Sequence, residues 1–142
     1  MGLDVGTRTV GVAISDALGL TAQPIETVRR KSLRVDLEAL GQLAREHEVH
    51  RVIVGLPLNM DGTEGPRALA SRKFAETLGQ ALGLPVELWD ERLTTAEAQR
   101  VLLAADVSRA RRKEVVDTLA ASIILQGWLD SRSATRHDGG DT

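Results

Sequence analysis

The sequence predicts a single α/β domain, a mixed five-stranded sheet with helices on both faces. The length of 142 residues fits one ordinary domain, and a content of 42% hydrophobic and 27% charged residues is typical of a globular protein with a normal core. Short runs rich in Val and Ile alternate with stretches whose apolar residues recur at helical spacing. Three strands come first and β-α units follow, so the sheet combines antiparallel with parallel pairs.

The first three strands are predicted to form a meander. Residues 1–6 and 10–15 are separated by Thr7-Arg8-Thr9 and form a β-hairpin. Residues 21–28 supply the third strand, in which Pro24 indicates an edge position or a bulge.

The rest of the domain consists of β-α units in the overall order β-β-β-α-β-α-β-α-α. The predicted elements are a helix capped by Ser32, a strand over 51–55, a helix from Pro66 to Gly83, a strand over 85–89, a helix over 94–105 and a last helix over about 113–130. Residues 131–142 are small and polar, and a disordered tail is expected there, so the domain covers residues 1–130.

The composition excludes several kinds of function. Because the chain has no cysteine, disulfides, zinc–thiolate sites and cysteine nucleophiles are ruled out. No apolar run approaches the ~18 residues that cross a bilayer, and no charged-then-apolar leader opens the chain, so a cytoplasmic protein without membrane contact is expected. A net charge of −2 removes the simplest argument for nucleic-acid binding, a strongly basic domain.

Three acidic positions lie where a buried pattern or a ligand-binding edge is predicted. Asp4 is inside the first strand, although burying an unpaired carboxylate costs several kcal/mol. Asp90 and Glu91 end a strand, and open α/β sheets bind ligands beyond the carboxyl ends of their strands. Asp117 falls within the apolar stripe of the last helix. If these acids converge, their oxygens favour Mg²⁺ or Mn²⁺, and two such ions ~3.5–4 Å apart activate water for phosphodiester hydrolysis.

Each acidic position also has a structural alternative. Asp4 could accept hydrogen bonds from backbone amides near the turn, and Asp117 could pair with Lys113, one helical turn earlier. One of Asp90 and Glu91 could simply form a salt bridge with Arg92. The residues alone leave open which member of that pair belongs to a site.

Two segments are candidate contacts for nucleic-acid phosphates. The loop from Pro57 to Gly65 contains Asn59 and precedes a helix N-terminus, whose amides can bind a phosphate, although a tight turn explains the loop equally well. A basic run precedes Asp117 and could anchor flanking phosphates, or it could be a solvated loop. The candidate phosphate-binding residues are Arg8, Asn59, Arg92, Arg109, Arg111, Arg112 and Lys113. With so few aromatic residues for base stacking, recognition should depend on the backbone and on shape.

Four motifs in this order resemble the YqgF (RuvX) family of pre-16S rRNA nucleases, relatives of the RuvC Holliday-junction resolvases with an RNase H-like fold. The resemblance extends from Gly2 to about Leu129 and rests on Gly2-Leu-Asp4-Val-Gly6-Thr-Arg-Thr-Val-Gly11-Val-Ala13, Val54-Gly-Leu-Pro57-Leu-Asn59-Met-Asp-Gly62, Asp90-Glu91-Arg-Leu-Thr-Thr95 and Lys113-Glu-Val-Val-Asp117-Thr-Leu-Ala-Ala121. It implies that Asp4, Glu91 and Asp117 are the catalytic, metal-binding triad. It also implies maturation of the 5′ end of 16S rRNA in the bacterial cytoplasm.

The start of the chain departs from the family pattern. Only three residues precede Asp4, whereas several apolar residues usually precede this stretch in the family. Either the first strand is short or the natural start lies upstream.

The sequence therefore predicts a metal-dependent nuclease that acts on structured RNA. A Holliday-junction resolvase acting on branched DNA is a second hypothesis and requires a symmetric dimer, so both a monomer and a homodimer remain open. A non-catalytic module that binds RNA or a ribosome-assembly partner is a third, but a pure binder does not need three mutually repelling acids. The first motif also resembles the phosphate loop of actin-type ATPases, which need two such domains, and 142 residues supply only one.

Overall fold

The computed structural model describes residues 1–93 and 118–132. In chain order these residues form β1 (Gly2–Val5), β2 (Thr9–Ser15), β3 (Ala22–Arg29), α1 (Leu33–Glu46), β4 (Val52–Leu56), α2 (Pro66–Leu82), β5 (Val86–Asp90), a 3₁₀ turn (Glu91–Leu93) and the helical residues 118–132, here called α3. The predicted element order is confirmed up to β5. The helix predicted over 94–105 lies outside the described residues.

The five strands form one mixed sheet in the order β3-β2-β1-β4-β5. The pairs β1–β2 and β2–β3 are antiparallel, and the pairs β1–β4 and β4–β5 are parallel. Pro24 lies on the edge strand β3, opposite Ala13, where the register of the β2–β3 ladder shifts. An edge strand leaves one side of its backbone unpaired, which is why a residue without an N–H is accepted there.

Helices cover both faces of the sheet, as predicted. On one face, α1 and α2 pack against β1 and its neighbours, with Leu3, Leu40 and Leu78 fully buried. On the other face, α3 packs Ala121, Ile124 and Leu125 against Ala13 and Ile53. Since side chains alternate along a strand, Leu3 and Val5 point toward α1 and α2, and Asp4 therefore faces the side that carries α3.

A buried ion pair holds the turn that follows β1. Asp36 of α1 is only 2% exposed, and its carboxylate accepts hydrogen bonds from Nε of Arg30 at 3.1 Å and from the backbone N–H of Lys31 at 2.9 Å. Arg30 in turn donates from Nη1 to the carbonyl of Gly6 at 2.8 Å. Gly6, which directly follows β1 and is two residues beyond Asp4, is thereby tied to α1.

Among the described residues, no helix combines the length and the apolar character needed to cross a membrane.

Candidate active site

The neighbours of Asp4 in the sheet leave space around its carboxylate. In the β1–β2 ladder Asp4 pairs with Gly11, and Gly11 pairs with Thr27 of β3. On the other side Leu3 pairs with Val54, so that Gly55 follows alongside Asp4. Both strands next to Asp4 thus present a glycine, which leaves room for a side chain from elsewhere in the fold.

Glu91 occupies this space. It is the first residue of the 3₁₀ turn after β5, and its carboxylate lies over Gly55: a Cβ placed on Gly55 would be 2.6 Å from Oε1 of Glu91 and 2.5 Å from Cδ1 of Ile124. Such distances are shorter than any allowed contact, so only glycine fits here. The chain uses this gap to direct an acidic side chain from β5 across β4 toward β1.

The carboxyl groups of Glu91 and Asp4 interact directly. The pKa of Glu91 is raised from 4.5 to about 8, mainly by burial, then by the negative charge of Asp4 and by a hydrogen bond between the two side chains, while the positive charge of Arg67 opposes the rise. Two carboxylates this close cannot both be ionised without a compensating cation, so one of them keeps a proton at neutral pH.

The donor chemistry of this pair fits a hard divalent cation. Carboxylate oxygens suit Mg²⁺ and Mn²⁺, and an ion between Asp4 and Glu91 would relieve the repulsion that otherwise retains the proton. Within residues 1–93 and 118–132, no cluster of three or more His, Asp or Glu side chains forms. The described part of the site therefore consists of two carboxylates. The third predicted ligand, Asp117, is outside the described residues.

Asp90 has a different environment from Glu91. Arg92 donates hydrogen bonds to its carboxylate from Nε at 3.1 Å and from Nη2 at 2.7 Å. These bonds lower the pKa of Asp90 below its usual value. Nη1 of Arg92 also reaches the carbonyl of Met60 at 3.3 Å. Asp90 is thus the member of the acidic pair that forms the salt bridge, while Glu91 faces Asp4.

The loop between β4 and α2 is closed by its own side chains. The backbone N–H of Asn59 donates to the carbonyl of Thr63 at 2.9 Å, and Nδ2 of Asn59 donates to Oγ1 of Thr63 at 3.0 Å. Together with the bond from Arg92 to Met60, these contacts hold the loop beside the first turn after β5.

The remaining candidates from the sequence divide into two groups. Arg8 is exposed in the turn between β1 and β2, at the same end of the sheet as Asp4. Thr118 was not a candidate, but it follows Asp117 in the chain and is the first described residue of α3. Its hydroxyl group forms a hydrogen bond of 2.8 Å with that of Thr27. The other five candidates lie outside the described residues: Arg109, Arg111, Arg112, Lys113 and Asp117.

Two residues of the site escaped the sequence analysis, Gly55 and Arg67. Gly55 lies within a buried Val-Ile-Val-Gly strand, where a glycine indicates close approach by another group. Arg67 follows Pro66 in the first turn of α2, directly after the loop that had been singled out for phosphate contacts. Either signal could have pointed to the site.

Replacing Gly55 by alanine should damage both the site and the core. The new methyl group would displace the Glu91 carboxylate, and a misplacement of about 1 Å can cost roughly 100-fold in rate; crowding against Ile124 should lower the free energy of unfolding by about 1–3 kcal/mol. Nuclease assays and urea denaturation measure the two effects.

The matched control is Gly41→Ala in α1, where the atom nearest to the added Cβ is the flexible end of Arg45 at 3.4 Å. This control should keep its activity and gain about 0.5–1 kcal/mol.

The fold is that of RuvC, as two solved structures show. The solved structure titled "T. thermophilus RuvC in complex with Holliday junction substrate" matches with a TM-score of 0.60 and 14% identity, covering 94% of both chains. A second structure of Thermus thermophilus RuvC matches with a TM-score of 0.55 and 15% identity, covering 94% of this chain and 95% of that one. At such low identity the likeness concerns the fold, which is the predicted RNase H-like fold.

The family model described as "RuvX: Holliday junction resolvase" matches residues 1–131. The chain belongs to the RuvX family, as its four motifs predicted. A relative from Myxococcus xanthus (strain DK1622), named "Putative pre-16S rRNA nuclease", is 70% identical over 131 residues, covering 92% of this chain and 87% of the relative. A relative of the same name from Symbiobacterium thermophilum is 60% identical over 133 residues, covering 94% and 92%.

Proposed function

We propose that this protein is a divalent-metal-dependent nuclease that processes the 5′ end of pre-16S rRNA in the cytoplasm. The observation that carries the proposal is the position of Glu91, whose carboxyl group lies over Gly55 and hydrogen-bonds that of Asp4. A half-buried pair of acids at the carboxyl ends of the strands is costly for stability and has a clear use when a cation joins it. The names of the relatives support pre-16S rRNA as the substrate.

Asp4, Glu91 and Asp117 are the proposed metal ligands. Bound Mg²⁺ or Mn²⁺ supplies an activated water and neutralises charge that develops at the scissile phosphate. The chain's part is to hold the carboxylates in place: Asp4 on the central strand, and Glu91 in the gap over Gly55. For Asp117 the support is its neighbour, since Thr118 hydrogen-bonds Thr27, and Thr27 lies in the same row of the sheet as Gly11 and Asp4.

Basic and polar residues around the acidic pair are proposed to bind the nucleic-acid backbone. Arg8 lies at the same end of the sheet as Asp4, and Asn59 and Arg92 shape the neighbouring loop. We include the basic run that precedes Asp117, which consists of Arg109, Arg111, Arg112 and Lys113. Phosphate contacts of this kind give affinity and register without reading the sequence.

Cleavage of precursor 16S rRNA tests this function. The purified protein is incubated with the precursor in Mg²⁺ or Mn²⁺, and the 5′ ends of the products are mapped, with EDTA and Asp117→Asn as the comparison. The proposal predicts cleavage at the mature 5′ end that needs the metal and is lost in the variant. Equal cleavage by Asp117→Asn would remove Asp117 from the mechanism. Normal rRNA maturation in cells that carry triad variants would instead favour a non-catalytic assembly factor.

A second candidate is resolution of four-way DNA junctions, which the family description and the RuvC-like fold favour. It requires two coordinated cuts and hence a symmetric dimer. Sedimentation in the presence of a synthetic four-way junction, with cleavage assayed in the same samples, distinguishes the two substrates. A monomer that cuts the precursor rRNA and leaves the junction intact would exclude this alternative.

A further inference from the structure

We propose that a cavity at the end of β1, on the face of the sheet that carries α1 and α2, is a phosphate-binding subsite for the substrate strand, with Arg67 and Lys73 as its cations. The cavity has a volume of about 250 Å³ and lies between the turn after β1 and one side of α2. This proposal rests on the proposed nuclease function and adds to it a position where a non-reacting phosphate of the strand is held.

The cavity is lined by positive charge alone. Its charged residues are Arg30, Arg67 and Lys73, and no acidic side chain contributes to the lining. This contrasts with the chain as a whole, whose net charge is −2. A concave surface lined by positive charges concentrates anions, because the low-dielectric walls focus the electric field into the cavity.

The three cations have different roles in this surface. Arg30 is already engaged with Asp36 at 3.1 Å and with the carbonyl of Gly6 at 2.8 Å, and it stacks over the ring of Phe74 at 5.1 Å. It therefore forms a rigid wall of the cavity. Arg67 and Lys73 are exposed and form no salt bridge with any other residue in the described part of the chain. Their donors can therefore reach a ligand.

The cavity lies at the end of β1 that follows Asp4, on the face of the sheet opposite to the Asp4 carboxylate. Val5, Gly6 and Thr7 line it and continue the chain directly from Asp4. The positive charge of Arg67 is close enough to act on the Glu91 carboxyl group. A substrate strand whose scissile phosphate lies at Asp4 and Glu91 can therefore place another of its phosphates between Arg67 and Lys73 where it passes over the end of β1. A phosphodiester group is common to RNA and DNA, so the subsite should accept either backbone.

Binding in the absence of metal tests the subsite separately from catalysis. The probes are a fluorescein-labelled single-stranded RNA of about 20 nucleotides and the DNA of the same sequence, measured by fluorescence anisotropy in EDTA across a range of KCl concentrations. Lys73→Gln should weaken binding of both probes about five- to tenfold and reduce the slope of log K against log salt by about 0.7, the value for one phosphate contact on a single strand. Arg67→Gln should act in the same direction.

Arg45→Gln in α1 is the matched control, because it removes one exposed positive charge away from this cavity. It should leave the affinity and the salt slope near those of the wild type. Glutamine is a good helix former, so these variants should fold. If Lys73→Gln binds both probes with the wild-type affinity and slope, the subsite is overturned. A wild type that binds neither probe overturns it as well.

Cleavage kinetics then distinguish this proposal from the proposed function. Lys73→Gln should raise KM and retain kcat, since Lys73 holds a phosphate that does not react. A wild type that binds the probes but cleaves nothing in Mg²⁺ or Mn²⁺ would contradict the nuclease function. In that case a weakened Lys73→Gln variant would still support a phosphate-binding site. Weakening confined to one probe would contradict a contact made to the shared backbone chemistry.

Discussion

Glu91→Gln is expected to lower the rate of metal-dependent cleavage by more than about 100-fold and to leave the fold intact. Loss of a residue that only supports a metal ligand already costs about 10–100-fold, and Glu91 is a proposed ligand itself. The amide of glutamine has the size of the protonated carboxyl group and can donate a hydrogen bond to Asp4 in the same way. The metal-free protein should therefore accept the change easily. Single-turnover cleavage under saturating Mg²⁺ measures the rate.

The matched control for this variant is Glu76→Gln. Glu76 is an exposed acid on α2, so its replacement makes the same change from a carboxyl group to an amide outside the proposed metal ligands. It should cleave at the wild-type rate. If Glu91→Gln also cleaves within about twofold of the wild type, Glu91 does not hold the metal.

The stability of the metal-free protein should depend on pH through Glu91. The folded state binds this proton up to about pH 8, whereas an ordinary glutamic acid releases it near 4.5. Between these values the folded state binds more protons than the unfolded state, so this group's contribution to the free energy of unfolding falls as pH rises, by at most about 1.4 kcal/mol per pH unit. Urea denaturation in EDTA at several pH values between 5 and 9 measures the effect.

The N-terminal ammonium group changes the free energy of unfolding with pH in the opposite direction. Its contribution has to be separated from that of Glu91. Burial lowers the pKa of the Met1 ammonium from 8.0 to about 6, so its contribution to stability increases with pH between those values. The Glu91→Gln variant retains the contribution of the Met1 ammonium group and loses that of Glu91. The difference in stability between the wild type and Glu91→Gln should therefore fall from pH 5 to 8 and then level off.

Divalent metal should reverse this pH dependence. An ion bound to Asp4 and Glu91 has to displace the proton, so stabilisation by 10 mM Mg²⁺ should be small at pH 6 and large at pH 8.5. The Mg²⁺ effect should be absent in Glu91→Gln at both pH values. Equal stabilisation of the wild type at pH 6 and 8.5 would show that Glu91 is not involved in binding the ion.

The strands and helices could be predicted closely from the sequence because their signals are local. Pro66 and Gly83 mark the two ends of α2, and Ser32 caps α1 with a bond to the N–H of Val35. The position of Pro24 was predicted as an edge or a bulge, and β3 has both features. These features depend on backbone rules that act within a few residues.

The contacts between distant elements could not be derived in the same way. From the residues alone Asp90 and Glu91 were equivalent, and the family resemblance was needed to favour Glu91. In the structure the difference arises from Gly55, which is 36 positions before Glu91 in the chain and leaves the space for its carboxylate. Which of two adjacent acids faces a neighbouring strand depends on such long-range packing.

Asp36 illustrates why an acid within an apolar stripe does not by itself indicate a metal site. It lies on the buried side of α1 with Leu40 and Leu43, the kind of position that the sequence predicts for Asp117 in the last helix. Asp36 is balanced by Arg30 and by the backbone N–H of Lys31, so its role is structural. The partner decides the chemistry: a cationic side chain makes an ion pair, whereas a second carboxylate, as at Asp4 and Glu91, leaves a place for a metal ion.

Diffraction from crystals soaked in Mn²⁺ tests this account most directly. Data collected near the manganese absorption edge should show an anomalous peak between the carboxylate groups of Asp4 and Glu91, and that peak should be absent from crystals of Glu91→Gln. An anomalous peak elsewhere on the protein, with Asp4 and Glu91 still bonded to each other, would contradict the proposal that these two residues share a metal ion.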